Sequence, residues 1–319
     1  MPHNFDVVCV GDAKIDTFLS LNEINEHLRL MKETNELCIK FGEKIIVDKA
    51  EILLGGDAAN VSVGASRLGL SAAIIAEIGK DEFAQKIINI LSKENVNIKK
   101  VLETEGLQSS FSTIINYKNE RTIFSEHVKR EHNFNFEDIS TKWIYLTSLG
   151  EKWQDAYHKT VDFVREAKCN LAFNPGTLQI TSGKNNIAQV LLITNLLFVN
   201  KDEAEDLLSY QHGQKNIDEI IANLQKLGPK IVTITDGENG SYTIDEEGNI
   251  LKEEIVETKV VEKTGAGDAY SSGFLGAILY GKSIREAMNW GAKNSASVIS
   301  KIGAQTGLLY KADFGILND

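Results

Sequence analysis

Short apolar runs alternate with amphipathic segments along most of the chain. Near the N-terminus, the apolar run "DVVCVGD" precedes "DAANVSVGASRLG", whose apolar residues recur at helical spacing, and "SAAIIAEIG" precedes "DEFAQKIINILSKEN" in the same way. The alternation continues as far as "KIVTITDG". Apolar strands that alternate with helices predict a doubly wound α/β fold, in which a mainly parallel sheet is covered by helices on both faces.

Two regions break this alternation. Residues 14–54 and 108–127 contain runs such as "KIDTFLSL" and "QSSFSTIINYKNERTIFSEH", in which polar and apolar positions alternate as in exposed antiparallel strands. We interpret them as a small β-sheet lid, with a hairpin turning near Lys118 and Asn119; edge strands on the main sheet are the alternative. No interdomain linker is evident, so we expect a single domain over residues 1–319. Exposed lid edges invite pairing, which makes a homodimer through the lid a hypothesis.

Composition and charge narrow the function classes. The 319 residues include 45 acidic and 34 basic side chains, a formal net charge of −11, so we expect no nucleic-acid partner. The start of the chain shows no signal-peptide pattern, and no apolar run is long enough to cross a bilayer, so we expect no membrane partner. Cys9, Cys38 and Cys169 are isolated, which fits a reduced, cytoplasmic compartment.

The segment "FLGAILYGKS" has the spacing of a nucleotide-binding P-loop: Gly276, four residues, then Gly281, Lys282 and Ser283. A working P-loop lies between a strand and a helix, whereas the apolar residues before Gly281 recur at helical spacing. We therefore predict that Gly276 lies within a helix, that Gly281 ends it and that Ser283 caps the next helix. On this interpretation the match to a P-loop is accidental.

Directly before this segment, "EKTGAGDAYSSG" is typical of a helix start that binds phosphate. Thr264 is the candidate N-cap, the amides of residues 265–267 are available to an anion, and Asp268 lies in the first turn. A carboxylate beside such an anion cradle can take a proton from an attacking hydroxyl. The alternative is ordinary helix chemistry, a threonine cap followed by an acidic first turn.

Two motifs together resemble the signatures of the PfkB/ribokinase family of carbohydrate and nucleoside kinases. "GGDAANVSVGASRLG" is similar to the N-terminal signature and "TGAGDAYSSGFLGAIL" to the C-terminal one, in the expected order. The resemblance covers essentially the whole chain. It implies a ribokinase-like α/β fold with a small β-sheet lid, and a kinase that uses ATP and Mg²⁺.

The resemblance also implies roles for single residues. Asp268 matches the catalytic base that deprotonates the substrate hydroxyl. The matches to the anion hole for the transferred phosphoryl group are the amides of Gly265, Ala266 and Gly267, and the matches to sugar contacts are Asp16, Gly55, Gly56 and Asn60. From the residues alone, Asp16 also fits a solvated position at a strand end.

A further set of matches concerns the nucleotide. The residues implied in nucleotide binding are Asn200, Glu203, Thr235, Gly237, Gly240, Thr264 and Asn294, with Glu203 also implied in binding Mg²⁺ through water. From spacing alone, Asn200 and Glu203 fit a helix capping box, and "TDGENG" fits a hairpin loop. Both interpretations stay open at this point.

Two regions depart from the family pattern or match no subgroup. Glu262 stands where the C-terminal signature usually has Asp, and no serine follows Gly303 and Ala304, so a role for a monovalent cation such as K⁺ stays open. Lys129 and Arg130 fit either a site for an anionic group of the substrate or a solvated surface of mixed charge. Neighbouring glutamates favour the solvated surface.

We expect an ATP-dependent kinase that phosphorylates a hydroxymethyl group of a sugar or sugar derivative. A nucleoside kinase of the same family is the nearest alternative, because ribose presents similar hydroxyls. A catalytically silent nucleotide-binding homologue is less favoured, since it has no need of Asp268 and the glycine cradle. A dinucleotide-dependent dehydrogenase is disfavoured because "VVCVGD" is not followed by a G-x-G-x-x-G turn.

Overall fold

A nine-stranded sheet forms the centre of the protein, whose computed structural model describes residues 3–21, 26–34, 36–117, 120–126 and 128–316. The strands in this part of the chain are β1 (His3–Val10), β2 (Lys14–Ser20), β3 (Leu28–Met31), β4 (Glu36–Ile39), β5 (Lys49–Gly55), β6 (Ala72–Gly79), β7 (Asn97–Thr104), β8 (Phe111–Tyr117), β9 (Glu120–Glu126), β10 (Ile139–Leu146), β11 (Asn170–Phe173), β12 (Leu196–Asn200), β13 (Ile231–Thr235), β14 (Ser241–Ile244) and β15 (Ile250–Glu253). The central sheet has the order β15-β14-β13-β12-β11-β10-β1-β6-β7. From β13 to β7 the neighbours are parallel, and β14 and β15 run antiparallel at one edge.

Helices cover both faces of this sheet. They are α1 (Asp57–Arg67), α2 (Glu82–Lys93), α3 (Trp153–Ala167), α4 (Thr177–Thr181), α5 (Ala188–Leu191), α6 (Lys201–Leu208), α7 (Ile217–Gln225), α8 (Ala266–Leu279) and α9 (Ile284–Ile299). Helices α1, α2, α8 and α9 pack on one face of the sheet, and α3 to α7 pack on the other. Side chains of β1 alternate between the two layers: Val7 and Cys9 face the first layer, and Val8 and Val10 face the second. The predicted doubly wound fold is confirmed. Among the described residues, no helix is long and apolar enough to span a membrane.

A separate four-stranded sheet has the order β5-β2-β8-β9. Strand β2 pairs antiparallel with β5 and parallel with β8, and β8 and β9 are antiparallel. These strands come from the two regions that break the α/β alternation, so the alternative of edge strands on the main sheet is wrong. Strands β3 and β4 form a hairpin of their own. The predicted turn at Lys118 and Asn119 lies outside the described residues.

The P-loop-like segment is part of two helices. Gly276 lies inside α8, where a Cβ atom would be 2.4 Å from Leu68 Cδ1, so the glycine allows close packing against the end of α1. Gly281 follows the helix with a φ of 72°. Ser283 caps α9 and forms a capping box with Glu286. All three predictions for this segment are confirmed, and its amides serve helices rather than a phosphate-binding turn.

Candidate active site

The N-terminus of helix α8 is shaped by a glycine and a buried glutamate. Gly265 precedes the helix with a φ of 78°, and a Cβ atom there would lie 2.4 Å from the Cβ of Ala304, so the position requires glycine. The prediction that Thr264 is the N-cap is wrong. Its backbone N–H and its hydroxyl both donate to Glu262 Oε1, at 2.7 and 2.6 Å. Glu262 therefore fixes the turn that leads into the helix.

The first turn of α8 offers backbone amides to a ligand. The N–H of Ala266 donates to the carbonyl of Lys263 at 3.3 Å, a long hydrogen bond. The N–H groups of Gly267 and Asp268 also lie in the first turn, where the helix has no preceding carbonyl to accept their hydrogen bonds. A Cβ atom at Gly267 would meet no protein atom within 4 Å, so this residue faces open space. The turn is suited to bind an anion at Gly267.

Asp268 is held by a chain of three polar side chains. The residue is 8 % exposed, and its Oδ2 accepts a hydrogen bond of 2.8 Å from Asn60 Nδ2. Asn60 Oδ1 in turn accepts one of 2.9 Å from Gln305 Nε2. Burial raises the pKa of Asp268 well above its usual range and the charge of Asp57 adds to this, while the hydrogen bond from Asn60 opposes it. Asn60 thus positions Asp268, and Gln305 is a residue that the motifs did not reveal.

A first pocket, which we call the polar pocket, opens at the carboxyl ends of β1, β10, β11 and β12. Its lining residues are Asp12, Lys14, Gly56, Asp57, Ser148, Leu149, Asn174, Pro175, Gly176, Thr177, Leu178, Gln179 and Glu203. Ligands of doubly wound proteins bind at this edge of the sheet. Most of the lining is polar or small, and none of its described residues has an aromatic side chain.

Asp16, Gly55 and Gly56 lie together beside the polar pocket. Asp16 on β2 is 4 % exposed, and burial raises its pKa to about 6. A Cβ atom at Gly55 would lie 2.0 Å from Asp16 Oδ2. At Gly56, where φ is 94°, a Cβ atom would lie 2.5 Å from the carbonyl oxygen of Asp12. Both glycines are therefore needed for this packing, and the interpretation of Asp16 as a solvated residue is wrong.

Two acidic residues of the polar pocket were not among the predicted site residues. Asp57, in the first turn of α1, accepts a hydrogen bond of 2.6 Å from the hydroxyl of Ser148. Burial raises the pKa of Asp12 to about 7. The signal for Asp57 was its place directly after the paired glycines of the N-terminal motif. Asp12 follows the first strand, where a doubly wound fold exposes side chains to ligands.

Lys129 and Arg130 have different surroundings. Lys129 is exposed and pairs with Glu151 at 2.8 Å, as expected of a solvated surface. Arg130 is 4 % exposed and donates from Nη2 to the carbonyl of Gln108. Its charge also lowers the pKa of Asp12. The predicted solvated surface is therefore wrong for Arg130, because the chain after β9 folds against Gln108 and buries it.

A second pocket, which we call the cleft, lies beside the start of α8. Its lining residues are Thr235, Gly237, Gly240, Ser241, Glu254, Ile255, Val256, Ala266, Gly267, Tyr270, Ala292, Ser295, Ala296 and Ile299. The structure thus brings the predicted residues Thr235, Gly237 and Gly240 together with two residues of the anion cradle. Residues 237–239 form a short 3₁₀ turn between the antiparallel strands β13 and β14, so the hairpin-loop interpretation of "TDGENG" is confirmed.

Asn294 does not reach the cleft, although its helix does. The residues of α9 that line the cleft follow helical spacing, from Ala292 to Ile299, and Asn294 lies on a different face. Its buried Nδ2 donates to the carbonyl of Ala269 at 2.8 Å, and its Oδ1 accepts the N–H of Leu309 at 2.9 Å. The side chain ties α9 to α8 and to the C-terminal segment, so the structure does not support the predicted nucleotide contact for Asn294.

Asn200 and Glu203 form a reciprocal capping box at the start of α6. Asn200 Oδ1 accepts the N–H of Glu203, and Glu203 Oε2 accepts the N–H of Asn200, both at 2.8 Å. Glu203 also lines the polar pocket. Burial raises its pKa to about 7, with a further contribution from the charge of Asp57. The same carboxylate thus caps a helix and faces the pocket.

Comparison with known proteins identifies the family. The family model for pfkB family carbohydrate kinases matches residues 6–310. The chain belongs to this family. The 5-dehydro-2-deoxygluconokinase of Bacillus subtilis (strain 168) is 25 % identical over 317 residues, which cover 93 % of this chain and 90 % of that protein. The nucleoside kinase of Methanocaldococcus jannaschii is 25 % identical over 313 residues, which cover 95 % and 93 %.

Solved structures of the family share the fold. A structure of Arabidopsis thaliana ribokinase complexed with ribose and ATP superposes with a TM-score of 0.76 at 19 % identity, covering 97 % of each chain. The adenosine kinase from Sinorhizobium meliloti gives a TM-score of 0.78 at 19 % identity, covering 98 % of each chain. The predicted family, the ribokinase-like fold and the enzyme class, an ATP-dependent carbohydrate kinase, are confirmed.

Proposed function

We propose that this kinase transfers the γ-phosphoryl group of ATP to a hydroxymethyl group of a sugar. The observation that carries the proposal is the position of the start of α8 between the two pockets. Ala266 and Gly267 line the cleft. The charges of Asp57 and Glu203, which line the polar pocket, raise the pKa of Asp268. A phosphoryl donor in the cleft and a hydroxyl in the polar pocket would meet at Asp268.

Asp268 is the proposed base. Its carboxylate takes the proton of the substrate hydroxyl while the hydroxyl oxygen bonds to the γ-phosphorus and the bond from phosphorus to the oxygen of ADP breaks. The amides at the start of α8 stabilise charge on the phosphoryl oxygens, and losing one such donor typically costs about 2.7–4 kcal/mol of barrier. Asn60, supported by Gln305, keeps the carboxylate in place.

In this proposal ATP binds together with Mg²⁺, which would offset the charge of the phosphates. Glu203 fits such a cation, because a carboxylate oxygen is the kind of ligand that Mg²⁺ prefers. Its Oε2 is held by the backbone of Asn200, so Oε1 is the oxygen that would bind the ion through water. Thr235, Gly237 and Gly240 are the proposed neighbours of the nucleotide in the cleft.

The lining of the polar pocket favours a sugar over a nucleoside. Asp12 and Asp57 supply two carboxylates, and none of the described residues that line the pocket is aromatic. Each carboxylate can accept hydrogen bonds from two hydroxyls, whereas a nucleobase gains most from an aromatic or apolar surface. Asp16 Oδ1 is buried without a hydrogen-bond partner among the described residues, and a further hydroxyl of the substrate would satisfy it. A nucleoside kinase is therefore the second candidate and a catalytically silent homologue the third.

We also propose that residues 1–319 form a single domain in which the small sheet is a lid. Strand β2 carries Asp16 to the site, and strand β9 reaches the turn before α8, where Arg121 Nε lies 3.6 Å from Glu262 Oε1. Ile123 and Phe124 on β9 are exposed, which supports a homodimer through this sheet. The three unpaired cysteines support a cytoplasmic location.

A substrate screen combined with one substitution tests the function. ADP release is measured with sugars, sugar acids, sugar phosphates and nucleosides as substrates. We expect turnover with a sugar. Turnover with nucleosides alone would instead support a nucleoside kinase. Asp268→Asn should lower kcat by about 10²–10⁴-fold while ATP still raises the melting temperature. Asp218→Asn, the same change in the exposed first turn of α7, is the control. A kcat for Asp268→Asn within about tenfold of the parent would falsify its role as base.

A further inference from the structure

A buried carboxylate lies in helix α6, outside the lining of either pocket, and within the described part of the chain it forms no ion pair with a lysine or arginine. Glu205 is 1 % exposed. Its Oε1 accepts the N–H of Gly213 at 3.0 Å, but its Oε2 is buried and has no hydrogen-bond partner within the described residues. Lys201 at the start of α6 pairs with Asp236, and Lys215 before α7 pairs with Glu219. Buried charges are normally paired or coordinated to a metal ion.

Two further side chains of the kinds that can bind metal ions lie close to Glu205. Asp202 lies one turn earlier on α6, and His212 lies in the loop that follows the helix. One ligand atom from each of the three residues lies within 4.8 Å of the others. Ser209 ends α6 in the left-handed conformation, with a φ of 58°. The chain therefore turns back at this point and brings His212 to the carboxylates.

The imidazole of His212 is oriented by a fourth residue. His212 Nε2 lies 2.8 Å from Asp206 Oδ1. A neutral ring that donates Nε2–H to this carboxylate has its lone pair on Nδ1, where it can bind a metal ion. Metal-bound histidines usually donate their other ring N–H to a carboxylate or carbonyl in this way.

We propose that Asp202, Glu205 and His212 bind a divalent transition-metal ion such as Zn²⁺ or Mn²⁺. An imidazole with two carboxylates suits these ions, whereas Mg²⁺ prefers oxygen ligands and keeps several waters. Bonds of about 2.0–2.2 Å require the ligand atoms to move somewhat closer together, which rotation of the exposed Asp202 and His212 side chains allows. The ion would balance the buried charge of Glu205 and join α6 to the loop before α7.

Metal binding by the full-length protein, treated with a chelator and free of nucleotide, tests this site. Co²⁺ is the probe, and we expect one equivalent to bind with a visible d–d absorption that Zn²⁺ displaces. His212→Ala removes a ligand at an exposed position, and the Co²⁺ affinity should fall at least about tenfold. His158→Ala removes an exposed imidazole from α3 and should keep the parent affinity.

Glu205→Gln supplies a second readout. The amide keeps the shape of the side chain and can still accept the N–H of Gly213, but it lacks the charge. We expect Zn²⁺ to raise the melting temperature of the parent and of His158→Ala, and to leave those of Glu205→Gln and His212→Ala unchanged. A parent that binds no Co²⁺ at millimolar concentration, or His212→Ala with the parent affinity, overturns the proposal.

Discussion

Asp268 lies in the electrostatic field of Lys14 and Asp57, both of which line the polar pocket. Beyond the effect of burial, the charge of Asp57 raises the pKa of Asp268 and that of Lys14 lowers it. Only the ionised carboxylate can accept a proton, so the proposed mechanism loses activity as pH falls through this pKa. The two neighbours therefore control the acidic limit of the reaction in opposite directions.

We predict opposite shifts of this limit from two substitutions. Asp57→Asn removes the charge that raises the pKa of Asp268, so the acidic limb of the kcat profile should move to lower pH, by about one unit. Lys14→Met removes the opposing charge and should move the limb to higher pH. The measurement is kcat against pH at saturating sugar and Mg·ATP, because both residues line the pocket proposed for the sugar. Shifts in the same direction, or none, would show that another group controls the limb.

Two glycines of the site allow a second prediction, because their surroundings differ. Gly55→Ala places a methyl group where Asp16 Oδ2 now lies, 2.0 Å from the Cβ position. Asp16 must move, so the KM for the sugar should rise. Gly267→Ala meets no protein atom within 4 Å, so the melting temperature should stay at the parent value while the methyl group crowds the phosphoryl group and kcat falls. An unfolded Gly267→Ala, or an unchanged sugar KM in Gly55→Ala, contradicts this description of the two positions.

At the scale of elements, strand β9 is joined to the turn before α8 by two ion pairs. Arg121 faces Glu262, and Lys263 Nζ lies 2.5 Å from Glu120 Oε1. Glu262 also accepts the two hydrogen bonds of Thr264. The proposed lid and the proposed phosphate turn therefore share one carboxylate, which couples the position of the lid to the shape of the turn.

The two ion pairs should differ in importance. The side chain of Glu262 is 1 % exposed, whereas Lys263 and Glu120 are both exposed. Removing the partner of a buried charge costs far more than breaking an exposed pair, which is worth about 0–1 kcal/mol. Arg121→Gln should therefore lower kcat/KM at least about tenfold, since tenfold corresponds to only about 1.4 kcal/mol. It should also speed hydrogen exchange in β9 when sugar and a non-hydrolysable nucleotide are bound.

Glu120→Gln is the matched control, because it breaks the exposed pair on the same strand and should change both quantities little. Equal effects of the two substitutions on kcat/KM and on hydrogen exchange would show that the burial of Glu262 does not affect closure of the proposed lid. A parent protein whose exchange in β9 is insensitive to sugar and nucleotide would argue against a lid.

Local chemistry explains which elements could be predicted. The helix through Gly276 and the cap at Ser283 follow from periodicity and from the capping box with Glu286, all within a few residues. The same local reasoning failed for the N-cap predicted at Thr264, because the hydroxyl of Thr264 donates to Glu262 Oε1 instead. The carboxylate of Glu262 is buried by distant parts of the fold, and a short stretch of sequence does not reveal this burial.

At the scale of the whole molecule, two motifs were enough to predict the family and its fold. The partners of the site residues were not predictable, because they come from distant parts of the chain. Gln305 reaches Asn60 across 245 residues, and Arg130 is buried against Gln108 although its neighbours in sequence are charged. Such contacts are set by tertiary packing and leave no local pattern.

The hydrogen bonds of Asn60 also bear on how the kinase is made. Its bond to Asp268 spans 208 residues and its bond to Gln305 spans 245. Asn60 is therefore translated long before either of its partners. Until α8 has emerged and docked against α1, a nascent chain lacks Asp268, the proposed base. On the proposed mechanism, a chain whose translation stops before α8 should therefore not transfer the γ-phosphoryl group of ATP.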